Sequence, residues 1–497
     1  MSHDHPRRRF LQTVSALGLG TGLAGLGGKN VAEARSPRVT PEAVRFRPEI
    51  EPVVRWIEET PRDRIFERAG RELQAGLSER DFLAGLFLAG IRNVKPRPVG
   101  FKFHAVLVMN AAHQLSLTAR PEDRLLPLFW ALDNFKASQA QDVKEGDWVL
   151  EKLDEARVPS PTKARAAFEQ AMDAWDSEAA DVAIAGLCRS AGAGETTEIL
   201  LRYAIRDQRN IGHKPIFVAQ SRRLLEAIGW EHAEPVLRSV VYGLLDLQGD
   251  SRPVAVGPYD SNVALAKSIR EGWSVGKPDP DATRNLLDLL RSADSEKSAA
   301  EAAALLGRGV SPGSIWGAVM LAGSELLVQS PGIIALHSMT AANALHSLYR
   351  TAADDSTRKL ALLQAVGWLP LYRDRIKPKS DFRIDRATQE APNETGLDAV
   401  FDLAARDRLA GVRAASALLE KQDLSADFFA VLRRLILTKG RDSHDYKYGI
   451  AAFEEAMLVE DPKSRASIAA AATIQLPTVS AADNPLTKKA REVISAI

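Results

Sequence analysis

Cysteine is almost missing from this chain: one residue, Cys188, in 497. A lone thiol excludes an intramolecular disulfide and any zinc or iron–sulfur centre built on several thiolates. Neither sign of charge dominates, since the formal net charge is +1. That balance gives no electrostatic ground for nucleic acid or an anionic membrane surface as a partner. A phosphate-binding loop is absent. Histidine is scarce, at nine residues. What is present, 45% hydrophobic and 26% charged residues, describes a soluble globular protein long enough for two domains. Any metal would have to be held by histidine, carboxylate or amide.

The N-terminus reads as a targeting segment. Arg7 and Arg8, followed by Arg9-Phe10-Leu11-Gln12, match a twin-arginine export signal. A glycine-rich, weakly apolar region runs from Thr13 to about Gly28, too short for a good membrane anchor. Ala32-Glu33-Ala34 has the small-x-small form of a cleavage site, so residues 1–34 are expected to leave after Ala34. The expectation is an exported protein, periplasmic or extracellular, that meets the twin-arginine export machinery and keeps no stable membrane anchor after cleavage. That pathway carries proteins already folded, often with a cofactor inserted. The identity of any cofactor or metal stays open.

Beyond the signal the chain repeats itself. An offset of 233 residues aligns Ala69–Gly90 with Ala302–Gly323 and continues without a gap, placing His104 on His337, Asn110 on Asn343 and His113 on His346. At a nearly equal offset His213 falls on His444. Seven histidines lie beyond the signal, and six belong to these pairs, which argues for duplication. Gly76 and Gly309 sit where a helix needs a left-handed C′ residue, and Ser78 and Ser311 where the next helix needs an N-cap. Apolar residues elsewhere recur at helical spacing, as in Leu125, Leu128, Phe129, Leu132 and Phe135. Val99–Phe103 is the nearest thing to a strand. The fold class expected is all-α: an internally duplicated helical bundle or short α-solenoid with two pseudo-equivalent halves. Residues 40–278 form the N-terminal helical half and 281–497 the C-terminal one, divided at the polar stretch Gly276–Asp281.

The repeated histidines are the candidate site. His113, His213, His346 and His444 are the expected catalytic group, with His113 approaching His213 and His346 approaching His444. Asn110, Asn343, His104 and His337 are the expected ligand-binding residues. On a regular helix His104 lies about 180° from His113, so both cannot face one small cavity. The competing reading is that the imidazoles are structural, each satisfied by a carbonyl between helices. Asp442 and Asp445 around His444, and Glu231 and Glu234 around His232, read as solvated helix ends. Cys188, in an apolar run, reads as a small core residue.

The stretch HSMTAANALHSLYR (His337–Arg350), followed by RKLALLQAVGWLPLY, resembles the histidine-bearing helix of the questin oxidase-like family. GHKPIFVAQSRRLL (Gly212–Leu225) is similar to the same group and to helical domains attached to some Rieske proteins. The resemblance implies an all-α scaffold and oxidative cleavage of aromatic rings, and it covers His337, His346 and, more loosely, His213. A Rieske cluster needs two cysteines and is excluded. Two functions follow: an oxidoreductase acting on a small organic substrate, with a small-molecule ligand as partner, or a non-catalytic helical scaffold or binding protein with structural histidines.

Overall fold

In the computed structural model, which describes residues 42–250, 257–392, 396–422 and 425–497, regular structure is helical throughout the described residues. Extended pairing among them is limited to two isolated bridges, Ala43 with Glu151 and Lys277 with Val310. The all-α class expected from the sequence is the class observed. Val99–Phe103 forms no strand; it turns through Gly100 (φ +132°) into the 3₁₀ turn Phe101–Phe103. The expected export signal, with Arg7, Arg8 and Ala34, lies outside the described residues. Among the described residues no helix is long and apolar enough to cross a membrane.

Local chemistry sets the helix ends. Gly76 adopts φ +99°, its N–H donates to Leu73, and the Leu77 N–H donates to Glu72. Those bonds satisfy carbonyls that the end of a helix leaves orphaned. Ser78 then caps the next helix, Glu79–Asn93, by accepting from the Asp81 N–H at 3.0 Å. The same bonds recur 233 residues later. Gly309 takes φ +84° and donates to Leu306, Val310 donates to Leu305, and Ser311 accepts from Ser314 N–H at 3.1 Å.

Four helices surround the site. They are Met109–Thr118, preceded by the one-turn helix His104–Leu107; then His213–Ile228, Ile333–Thr351 and Ser443–Leu458. Each packs against the next in a closed ring, the last returning to the first. Glu79–Asn93 and Leu126–Lys144 support the first of them from outside, and Pro312–Gln329 and Asp355–Arg373 support the third. Pro312–Gln329 is buried at every position but Gly313, as a helix apolar all round must be. One continuous apolar core runs under all of these elements. The polar stretch Gly276–Asp281 is bonded into it, with Lys277 donating to Gly309 and Ser311 donating to Lys277. The described residues from 42 onward pack as one compact unit.

Gly212 connects the fold to the site. It holds φ +78° immediately before His213, and a Cβ there would stand 2.5 Å from the Tyr372 hydroxyl and 2.7 Å from Ala341 Cβ. Gly76 needs the same kind of backbone, yet a Cβ there meets nothing within 4 Å. We predict that Gly76→Ala costs about 1 kcal/mol, whereas Gly212→Ala costs about 2–4 kcal/mol because overpacking adds to backbone strain. Urea unfolding of both variants checks this; equal losses would contradict it.

Candidate metal centre

Four imidazoles meet inside the helix ring: His104 and His213 from the N-terminal half, His337 and His444 from the C-terminal half. Nε2 of His213 stands 3.0 Å from Nε2 of His337 and 3.2 Å from Nε2 of His104. The ligand atoms of His104, His213 and His337 all lie within 4.8 Å of one another. The His444 ring centroid is 4.6 Å from that of His104 and 5.4 Å from that of His337.

His104, His213 and His444 arrive from helix starts, where side-chain direction is least bound by the helical period, and His337 sits one turn further in. His104 and His213 are the first residues of their helices, His444 the second and His337 the fifth. Gly100 lies against the cluster; a Cβ there would come within 3.2 Å of the His213 ring.

The second nitrogen of each ring decides what the first can do. Nδ1 of His213 lies 2.6 Å from the Asn210 carbonyl, and Nδ1 of His337 lies 2.7 Å from the Ile333 carbonyl. A carbonyl oxygen only accepts, so both Nδ1 atoms carry the proton, and in the neutral ring both Nε2 atoms are bare lone pairs. Two lone pairs facing each other at 3.0 Å repel. Adding a proton is opposed: burial drives the His104, His213 and His337 values well below the ordinary imidazole range, and the charge of Lys447 pushes the same way. His444 is also lowered by burial, against the pull of Asp442, whose carboxylate accepts from Nδ1 at 2.6 Å. The His444 Nε2 is buried and has no hydrogen-bond partner.

This is a donor set for a cation. Imidazole nitrogens about 2.0–2.1 Å from one ion stand roughly 3.3–3.4 Å apart in a tetrahedron, close to the 3.0 and 3.2 Å that His213 keeps from His337 and His104. Carbonyl and carboxylate partners on the outer nitrogens fix tautomer and ring angle, as they do around bound metals. Nitrogen ligands without thiolate suit a first-row ion such as zinc, copper, nickel or ferrous iron, and do not suit calcium or magnesium. His213 and His337 are buried, and His104 and His444 are half-buried as residues.

The pairings expected from sequence do not form. His346 donates from Nδ1 to Glu455 at 2.7 Å and stacks on Trp316 with 4.3 Å between centroids. His113 is half-buried and has neither a hydrogen bond nor a ring contact with the four. His104 and His337 take the places assigned to His113 and His346. His213 and His444 stand where the sequence reading expects a site, joined by His104 and His337 rather than by His113 and His346. Asn343 donates to Glu454 and Glu455 rather than to a ligand at the centre. Asn110 is buried with both amide atoms unpaired.

Three features escaped the sequence reading. Asp442 is no mere solvated helix end; it caps the helix and orients His444. Lys447 and Tyr448 follow His444 by three and four residues and so share its helix face. Both are buried with unpaired terminal atoms, and burial lowers the Lys447 ammonium to about 7, so much of it is neutral at physiological pH. The i, i+3, i+4 spacing from a histidine was the available signal. Cys188 stays outside this chemistry, its thiol raised to about 12 by burial.

Comparison with protein-family models, curated proteins and solved structures returns no match for this chain.

The pH dependence follows from the neutral rings. The cluster histidines titrate below 6.5 in the native state and near 6.5 when unfolded. Below 6.5 the unfolded chain therefore binds more protons than the native one. Stability is full above that pH and is lost as pH falls towards the native values. We predict that metal-stripped protein loses stability between pH 7 and pH 5.5, each ring contributing up to about 1.4 kcal/mol per pH unit. Urea titrations across that window measure the slope, and a flat profile would contradict it.

Proposed function

We propose that this protein is an exported metalloprotein that oxidises a small organic substrate, with one divalent transition-metal ion held by His104, His213, His337 and His444. The observation that carries the reading is the facing pair of Nε2 lone pairs on His213 and His337, 3.0 Å apart. Only a cation makes that contact favourable while both outer nitrogens keep their protons. A metal there supplies Lewis acidity and, if it is iron or copper, one-electron chemistry. The chain's own part is to orient the four rings, to keep them neutral by burial, and to place the Lys447 amine beside them as a proton acceptor near neutral pH.

Support for oxidation comes from the resemblance of His337–Arg350 to the questin oxidase-like family. Support for export comes from Arg7, Arg8 and the Ala32–Ala34 site. A duplicated origin accounts for the pairing of His104 with His337 and of His213 with His444, and for the repeated glycine and serine bonds. Two half-sites, each too small to hold an ion, would then have been joined by packing the halves together.

The rival reading, a scaffold with structural histidines, is favoured at His346, whose ring is satisfied by Glu455 and Trp316. One set of variants separates the two. His213→Ala and His337→Ala should each abolish the near-stoichiometric metal found in purified protein by elemental analysis. His346→Ala should keep the metal and lose about 1–3 kcal/mol of stability, because Glu455 is left buried without that donor. Metal-free wild-type protein, or metal retained by both cluster variants, would remove the proposal.

A further inference from the structure

A second concavity opens at the other end of the same helix ring. Its volume is about 340 Å³, and its wall carries Arg223, Arg350 and Arg433 against a single carboxylate, Glu454, with Phe453 and Met457 as apolar lining. Glu454 is already engaged, accepting from Arg223 at 3.0 Å and from Asn343 at 2.9 Å. Among the described residues neither Arg350 nor Arg433 has a carboxylate or hydrogen-bonding partner, and Nη1 of Arg223 is buried and unpaired. Met457 is 65% exposed and lies in the wall of the pocket. The Arg433 guanidinium stands 5.9 Å from the centre of the Phe453 ring, joining the cationic and apolar parts of the wall.

Helical rise fixes the position of this pocket. Arg223 is ten residues beyond His213 and Glu454 ten beyond His444. At 1.5 Å per residue each lies roughly 15 Å along its helix from the imidazole cluster. The pocket is therefore a separate site. Asn343 and His346, two of the repeat residues outside the imidazole cluster, connect to the pocket wall. Asn343 donates to both Glu454 and Glu455, and Glu455 in turn accepts from His346.

The geometry points to a binding site for an amphipathic monoanion, a carboxylate carrying a short apolar tail, with the carboxylate between Arg350 and Arg433 and the tail on Phe453 and Met457. Guanidinium groups bind carboxylates through paired N–H donors, and an excess of two positive charges in one concavity has no counterpart in the chain's near-neutral total. A bare oxyanion would leave Phe453 and Met457 unused, and a neutral amphiphile would leave the arginines unpaired.

Calorimetric titration of the full-length protein with octanoate, octanol and inorganic phosphate tests this without reference to the metal. Octanoate should bind saturably, with octanol and phosphate each weaker by about tenfold or more. Arg433→Gln and Arg350→Gln, both near the surface and expected to fold normally, should each weaken octanoate by about tenfold. Octanol binding as tightly as octanoate would overturn the anion requirement, and phosphate binding as tightly would overturn the tail. Absence of saturable octanoate binding, or variants that bind like wild type, would overturn the site itself.

Discussion

The outer hydrogen bonds of His213 and His337 are the constraint on which the centre depends. Each ring gives its Nδ1 proton to a carbonyl, at Asn210 and Ile333, and so must offer a lone pair from Nε2. Burial then opposes the proton that would otherwise relieve two facing lone pairs. Fold and chemistry meet at this point. The rings are held by backbone atoms at helix starts, so the geometry that suits a cation is built into the packing of the helices.

Those helix starts are themselves products of local sequence. Gly212 supplies the left-handed turn that begins the His213 helix, and it faces Tyr372 and Ala341 too closely for any side chain. Asp442 caps the fourth helix and also holds His444 by its Nδ1, so one carboxylate sets both the helix end and the ring. The burial that lowers the imidazoles also lowers the Lys447 ammonium, to about 7. A low-dielectric interior thus favours unprotonated nitrogen on rings that four different helices bring together.

Much of the fold was legible because helix signals are local. Glycine at C′, serine at the N-cap and apolar residues at helical spacing depend on neighbours a few positions away, and Gly76, Ser78, Gly309 and Ser311 behave as their sequence context requires. The candidate site was legible only in part. The repeat drew attention to six histidines, and four of them meet. What sequence could not supply was the packing of one half against the other, which brings His104 beside His444 and His213 beside His337. Reasoning within each half pointed to His113 and His346, whose helix faces turn elsewhere. Lys447 and Tyr448 carry no motif, and their meaning comes from burial that only tertiary structure reveals.

X-ray absorption at the metal edge of protein purified from its native source tests the central claim most directly. The account predicts a first shell of about four nitrogen scatterers at roughly 2.0–2.1 Å, with the outer-shell pattern of several imidazole rings and no sulfur. A first shell dominated by oxygen or sulfur, or one with a single imidazole, would contradict it.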